Sequence, residues 1–442
     1  MEKTELIFSF DTEDFTSNTA ADAILTEAEI LRQEGVCGCF CLVGLLADQL
    51  VKWGRKDVLD ALSHHEIDSH TLAHSVHPVI NEYTDLEDFG AAYAEAVRQE
   101  TEALEKISRT TGCGKIYAAV PPGDDKSYVA MYAYADMGIP IYADTVCDTP
   151  DGDGVWYCNV YNIEYVLGAD GQDFFFHGGE AEIRAALDRL ARRKRAVFYT
   201  HPHMSLFARH WDSVNYDKEN KHPFGEWEKA PRRPLEESER FYENYRLFVR
   251  LAKEDPRFRI TTYGEIAERL AQRPPRVVRR EDLPRIRDNL REKLYPLTEP
   301  DSFCLSDLFR AARVFLMDGD SWECVPERGF LYAPEAAKET VVLTAEEIRR
   351  SAAVIPSSGF LPVRIEVGGK IIGPADWLSV AYETLCGAAA VTVEPGKDQL
   401  PPLDRLPLAR DLSLKGTWIH SDSFEDNWLS KRLRWQSWTM RF

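Results

Sequence analysis

Through roughly its first 270 residues the chain alternates short apolar runs with longer stretches of helical periodicity. That alternation constrains the fold more than any other feature. Residues 4–10, Val36–Val43, Glu66–Ser69, Lys115–Val120, Pro140–Ala143, 196–200 and Arg259–Thr262 read as strands. Residues 21–34, 55–63, 86–110, 126–136, 180–194, 235–253 and 263–271 read as helices. Strands separated by helices require crossover connections. They predict a parallel sheet with helices outside it, open or closed into a barrel. In such folds ligands bind at the carboxyl ends of the strands. Asp11, Glu13, His70, Pro122, Asp144 and His201 all stand at or just past such ends.

A chain of 442 residues exceeds one average domain. Residues 1–272 read as one domain, the Pro- and Arg-rich stretch 273–300 as a linker, and 301–442 as a smaller α+β domain. Within the last, Val363–Val367, Gly368-Gly369 and Lys370–Ile372 carry a strand–turn–strand signal. Trp418, Trp428, Trp435 and Trp438 crowd the tail, where they are expected to pack or to stack on sugar. The formal net charge of −20 repels phosphate backbones and anionic lipid, so neither nucleic acid nor a membrane is an expected partner. Met1-Glu-Lys-Thr-Glu has no basic start leading into a long apolar core. The expectation is no signal peptide and a cytoplasmic protein. The cysteine count of nine is odd and includes no C-x-x-C pair. Cys37, Cys39 and Cys41 alternate on a strand and are expected to be small buried residues or free thiols.

Three local patterns carry chemistry. His70 and His74 are four apart, a spacing that on a helical turn sets two imidazoles close enough to share a metal ion. Phe10-Asp11-Thr12-Glu13-Asp14 ends the first strand in acids, and Val197-Phe-Tyr-Thr-His201 ends a late strand in histidine. Strand alternation aims Asp11 and Glu13 to one side. Asp14 points away unless the strand has already ended, so Glu13 is favoured as a third metal ligand and Asp14 is the alternative. Two histidines and one carboxylate leave open positions on a divalent ion, zinc being the expected one.

In order and placement these motifs resemble the polysaccharide deacetylase superfamily of carbohydrate esterases over residues 4–270. The matching segments are Asp11-Thr-Glu13-Asp14, His70-Thr-Leu-Ala-His74, Pro121-Pro122-Gly123, Asp144-Thr-Val-Cys-Asp148 and Thr200-His201. The resemblance implies a distorted (β/α)7 barrel that removes acetyl groups from N-acetylated sugars with one divalent metal. It implies Asp11 as the base and His201 as the acid that protonates the departing amine. It also implies that Pro122 and Gly123 border the substrate, with Asp144 or Asp148 supporting the charge on His201. Two positions depart from the pattern. Ala119 stands where an arginine usually orients the base. Pro122, lacking an N–H, stands where a backbone donor usually helps the oxyanion.

After His201 the segment 203–234 is long for a loop, and such loops are often functional. Trp211 and Trp227 in it are candidate sugar-stacking residues, and Arg209 or His210 could read a polar substituent. In the last domain, Ile348–Val354, Gly359–Gly368 and Ala375–Ser379 are weakly similar to pseudomurein-binding repeats, although apolar periodicity explains half of that match. The expected activity is metal-dependent deacetylation of an amino sugar in a glycan or glycoconjugate. Hydrolysis of a small amide or cyclic ureide, or carbohydrate binding without catalysis, is the alternative.

Overall fold

The run Leu6-Ile-Phe-Ser-Phe10 is apolar on both faces, as a strand buried on both sides must be. In the computed structural model of the protein it lies within β1 (Thr4–Thr12), where Leu6, Ile7, Phe8 and Phe10 have no accessible surface. The structure describes residues 3–123, 125–144, 146–149, 151–409, 412–414 and 417–442, without the side chain of Asp144. It divides into two units. The first holds Met1–Gly154, Val160–Gln272 and Leu412–Asn427. The second holds Val155–Asn159, Arg273–Asp411 and Trp428–Phe442.

In the first unit β1 is followed by β2 (Cys39–Leu42), β3 (Glu66–Ser69), β4 (Ala118–Ala119) and β5 (Ile141–Asp144). Next come β6 (Val160–Glu164), β7 (Leu167–Gly168), β8 (Arg195–Thr200) and β9 (Phe258–Ile260). They form a curled half-barrel in the order β6-β5-β4-β3-β2-β1-β8-β7, with β9 also on β1. Every one of these pairings is parallel. The register sets Thr12 beside Leu42, Leu42 beside Ser69 and Ser69 beside Ala119. The carboxyl ends of β1 to β4 are thereby brought level.

Helices cover the outside. The helix Leu235–Glu254 packs on β1 and β8, with Phe248 stacked on Phe198 at 4.3 Å and edge-on to Phe8 at 6.0 Å. Local chemistry sets the ends of the others. Phe89–Thr111 starts where the Asp88 side chain accepts hydrogen bonds from Gly90 and Ala91, and it stops at Gly112, whose φ of 72° suits glycine.

Several expectations shift at the boundaries. Only Ala118–Ala119 of the expected strand Lys115–Val120 is paired. Asp68 Oδ1 accepts the N–H groups of Tyr117 and Ala118 at 3.0 and 2.8 Å, which diverts donors that would otherwise extend a ladder. Cys37 precedes β2 and is exposed, while Cys39 and Cys41 are buried, and all described cysteines are free thiols. β6 and β7 arise from a stretch in which the sequence signalled no strand.

The second unit has its own core. The segment read as a linker contributes to it, since the helix Leu283–Glu292 buries Leu283, Ile286 and Leu290 there. The hairpin at Gly368-Gly369 is present, with Ile365–Val367 antiparallel to Lys370–Ile372. Both glycines have positive φ, 58° and 75°, as a tight two-residue hairpin turn demands. Trp438 is buried in this core and donates to the Gln399 carbonyl, and Trp435 packs partly against the same cluster. Among the described residues no helix is long and apolar enough to cross a membrane.

Candidate active site

Because the strands run parallel, the residues that follow them converge at one end. The loop after β3 starts when the His70 N–H bonds the Leu42 carbonyl at 2.8 Å. Residues 70–77 contain no helical turn, contrary to the expectation for the histidine pair. The chain instead doubles back through two left-handed residues, Thr71 at φ 65° and His74 at φ 53°. The Thr71 hydroxyl accepts the His74 N–H at 3.2 Å and holds the turn. Non-glycine residues adopt this conformation at a cost and cluster at functional sites. The result is two imidazoles with ring centroids 5.0 Å apart.

Both rings face Glu13. Its Oε2 lies 3.3 Å from His70 Nε2 and 2.8 Å from His74 Nε2. His70 Nδ1 lies 2.6 Å from the Val120 carbonyl and must donate to it, which leaves Nε2 as the nitrogen that faces Glu13. Trp211 Nε1 donates to Glu13 Oε1 at 3.0 Å and fixes the carboxylate from behind. Burial opposes ionisation of Glu13. The surrounding His74, His201, His210 and His70 outweigh it and hold the carboxyl well below the usual range. These three side chains are buried, and their ligand atoms lie within 4.8 Å of one another, a donor set that fits a divalent ion. Asp14 turns away, accepting from the Thr16 N–H and hydroxyl at 2.9 and 2.7 Å. Burial raises its pKa to about 7.

Beside this cluster stand Asp11 and His201. His201 Nε2 lies 3.5 Å from Asp11 Oδ2. The other ring nitrogen, Nδ1, lies 3.1 Å from Asp170 Oδ2, and Asp170 Oδ1 also accepts the His201 N–H at 3.3 Å. Burial disfavours a charged imidazole, but Asp170 first, then Glu13 and Asp11, hold its pKa well above the ordinary histidine value. Asp170, itself opposed by burial, is pulled down to about 2 by His201. Among the described side chains the carboxylate on His201 is therefore Asp170. Asp148 is exposed, and the side chain of Asp144 lies outside the described residues. Asp170 follows β7, a two-residue strand with no periodicity to announce it, which is why the sequence did not point to it. Tyr165, just after β6, was missed for the same reason. Its hydroxyl donates to Asp11 Oδ1 at 2.9 Å and sits 3.0 Å from the Ser9 hydroxyl. It gives Asp11 an orienting donor in a site where Ala119 offers none.

These groups open on a cavity of about 440 Å³, within the range of small-molecule sites. Pro122 and Gly123 form part of its wall, as does Trp418. Gly123 has φ 60°, and a Cβ there would fall 2.7 Å from Ile419 Cδ1 and 3.1 Å from Trp418 Cζ2. Only glycine lets the segment Leu412–Asn427 lie this close. That segment is tied down by the Ser421 N–H on Glu82 Oε1 at 2.8 Å and the Lys218 N–H on the Trp418 carbonyl at 3.2 Å. Of the tryptophans named as candidates for stacking, Trp418 of the tail lines the cavity, together with Tyr165 and Tyr199, whereas Trp211 and Trp227 of the loop do not. Trp211 is fully buried, edge-on to Phe15 at 4.7 Å. Trp227 bonds the Tyr216 hydroxyl at 2.6 Å, packs on Phe224, and is not among the described lining residues. We therefore expect Trp418→Ala to raise KM about five- to tenfold with little change in kcat, the pattern of lost uniform binding. Steady-state kinetics check this, and an unchanged KM would remove Trp418 from substrate recognition.

No family model matches the chain, and no curated protein does. Among solved structures it is similar to a Mycobacterium smegmatis protein described as a polysaccharide deacetylase. The identity is 16%, over 62% of this chain and 94% of that one, with a TM-score of 0.40. A 4-alpha-glucanotransferase from Thermococcus litoralis matches at 14% identity over 62% of this chain and 41% of that one, with a TM-score of 0.42. A mutant with restored activity of a CE4-family pseudoenzyme from Bacillus anthracis matches at 12% over 60% and 68%, with a TM-score of 0.33.

Proposed function

We propose that the first unit is a metal-dependent amide hydrolase that removes an acetyl group from an N-acetylated amino sugar in a glycan or glycoconjugate. One observation carries the reading: a buried two-histidine, one-carboxylate cluster and a separate carboxylate–imidazole pair face the same cavity. Glu13, His70 and His74 would hold the ion. When bound, a divalent cation, zinc being the expected one, supplies Lewis acidity toward an amide carbonyl and makes water more acidic. Asp11, oriented by Tyr165, takes a proton from the attacking water. His201, charged through Asp170, gives a proton to the nitrogen as the C–N bond breaks, so acetate and a free amine leave. None of the described lining residues is lysine or arginine, and the charged His201 is already engaged by Asp170 and Asp11, so the lining offers no uncommitted cation to an anionic substituent. That favours an uncharged N-acetyl sugar, with Trp418 offering an apolar face to the ring. A small neutral amide fits the same description and is the alternative.

The test is a metal inventory of the purified full chain by mass spectrometry, together with acetate release from N-acetylated sugars, their oligomers and simple amides. Chelation is expected to abolish activity and added zinc to restore it. His70→Ala should lose the ion from this cluster while circular dichroism stays unchanged. Full activity in a metal-free preparation would sink the metal assignment. Release from simple amides alone would move the substrate to the alternative class.

A further inference from the structure

We propose a second divalent-cation site on the other oxygen of Glu13, built with His203 and His210, so that the carboxylate bridges two ions. The inference rests on the reading of Glu13, His70 and His74 as a metal site and extends it. Glu13 Oε2 is taken up by His70 and His74, whereas Oε1 stands near Trp211, His203 and His210. His203 Nδ1 lies 3.7 Å from Oε1 and His210 Nδ1 lies 3.8 Å from it. These three ligand atoms also fall within 4.8 Å of one another. Ligands on one tetrahedral ion with bonds of about 2.0–2.1 Å stand roughly 3.4 Å apart, so a small contraction closes the shell.

His203 supplies the independent observation. Its side chain is 2% exposed, and neither ring nitrogen has a hydrogen-bond partner. A buried imidazole with both nitrogens unmet forfeits hydrogen bonds that water would have given it, and such groups in folded proteins call for an explanation. An ion on Nδ1 provides one. Trp211 N–H occupies one lone pair of Oε1 and leaves the other toward the two histidines. His210 completes the arrangement from the cavity side. It is 37% exposed and lines the cavity, so an ion can enter there. Two imidazoles and a carboxylate suit zinc, cobalt or iron better than the hard cations magnesium and calcium.

The full-length protein, stripped of metal, should be titrated with Zn²⁺ or Co²⁺ alone and the bound ions counted by mass spectrometry and calorimetry. The expected count is about two per chain, falling to about one in His210→Ala and to about one in His74→Ala. In the cobalt protein the visible bands that survive His210→Ala should differ from those that survive His74→Ala, because different ligand sets remain. His210 is partly exposed, so its variant should stay folded even if His203→Asn does not. A single ion that survives His210→Ala and is lost in His74→Ala overturns the second site and leaves the hydrolase reading standing. No bound ion in any form overturns both.

Discussion

Asp11→Asn is expected to lower kcat by about two to four orders of magnitude while the bound metal stays in place. The carboxylate lies 3.5 Å from His201 Nε2 and accepts from Tyr165, but it is not among the atoms grouped around His70 and His74. Asparagine has nearly the same shape and cannot take a proton. A loss of rate without a loss of ion therefore separates the base from the metal ligands. Metal content and kcat should be measured on the same preparation. Near-full activity of Asp11→Asn on the true substrate would remove Asp11 as the base. A fall in both quantities together would make it a ligand instead.

The second large effect belongs to Asp170. Its carboxylate is the foremost group holding His201 protonated. A group with a raised pKa keeps its proton below that pKa and loses it as the pH rises through it. Activity that needs imidazolium is therefore full on the acid side and falls along a basic limb. Asp170→Asn removes the stabilising charge and lowers the His201 pKa, so the basic limb of kcat/KM should move to lower pH. At pH 8 the rate should drop about ten- to a hundredfold, because the positioned acid is largely deprotonated. A pH–rate profile with an unshifted basic limb would mean that His201 does not act as the acid. The acid limb should stay where it is, because Asp170 titrates near 2, far below the working range.

How much of this was legible beforehand depended on the kind of signal. Thr4–Thr12 announced itself because a strand buried on both faces needs a nearly unbroken apolar run, whereas Glu66-Ile-Asp-Ser69 was legible only from its place between a helix and the His70 loop. The helices Leu235–Glu254 and Tyr263–Ala271 announced themselves through their periodicity. The strand ends then pointed to Asp11, Glu13, His70 and His201 with no tertiary information. The residues that complete the site carry no such signal. Asp170 and Tyr165 follow strands too irregular to be read from pattern. Trp418 reaches the cavity from a segment separated from β1 by most of the chain.

Where sequence and structure both bear on one residue, their division is physical. The sequence by itself determined which residue types stand at the ends of parallel strands, because alternation of strand and helix forces those ends to one side. It left Glu13 and Asp14 in competition. Only the tertiary structure set Glu13 between the two histidines and turned Asp14 onto Thr16, since that choice depends on where the strand stops. Likewise the four-residue histidine spacing was plain from the chain, yet the pair meets through a left-handed loop and not a helix. Tertiary packing alone buried Trp211 behind Glu13, kept Trp227 off the cavity wall and brought Asp170 to His201. Contacts between residues far apart in the chain are fixed by the packed core, and no local pattern encodes them.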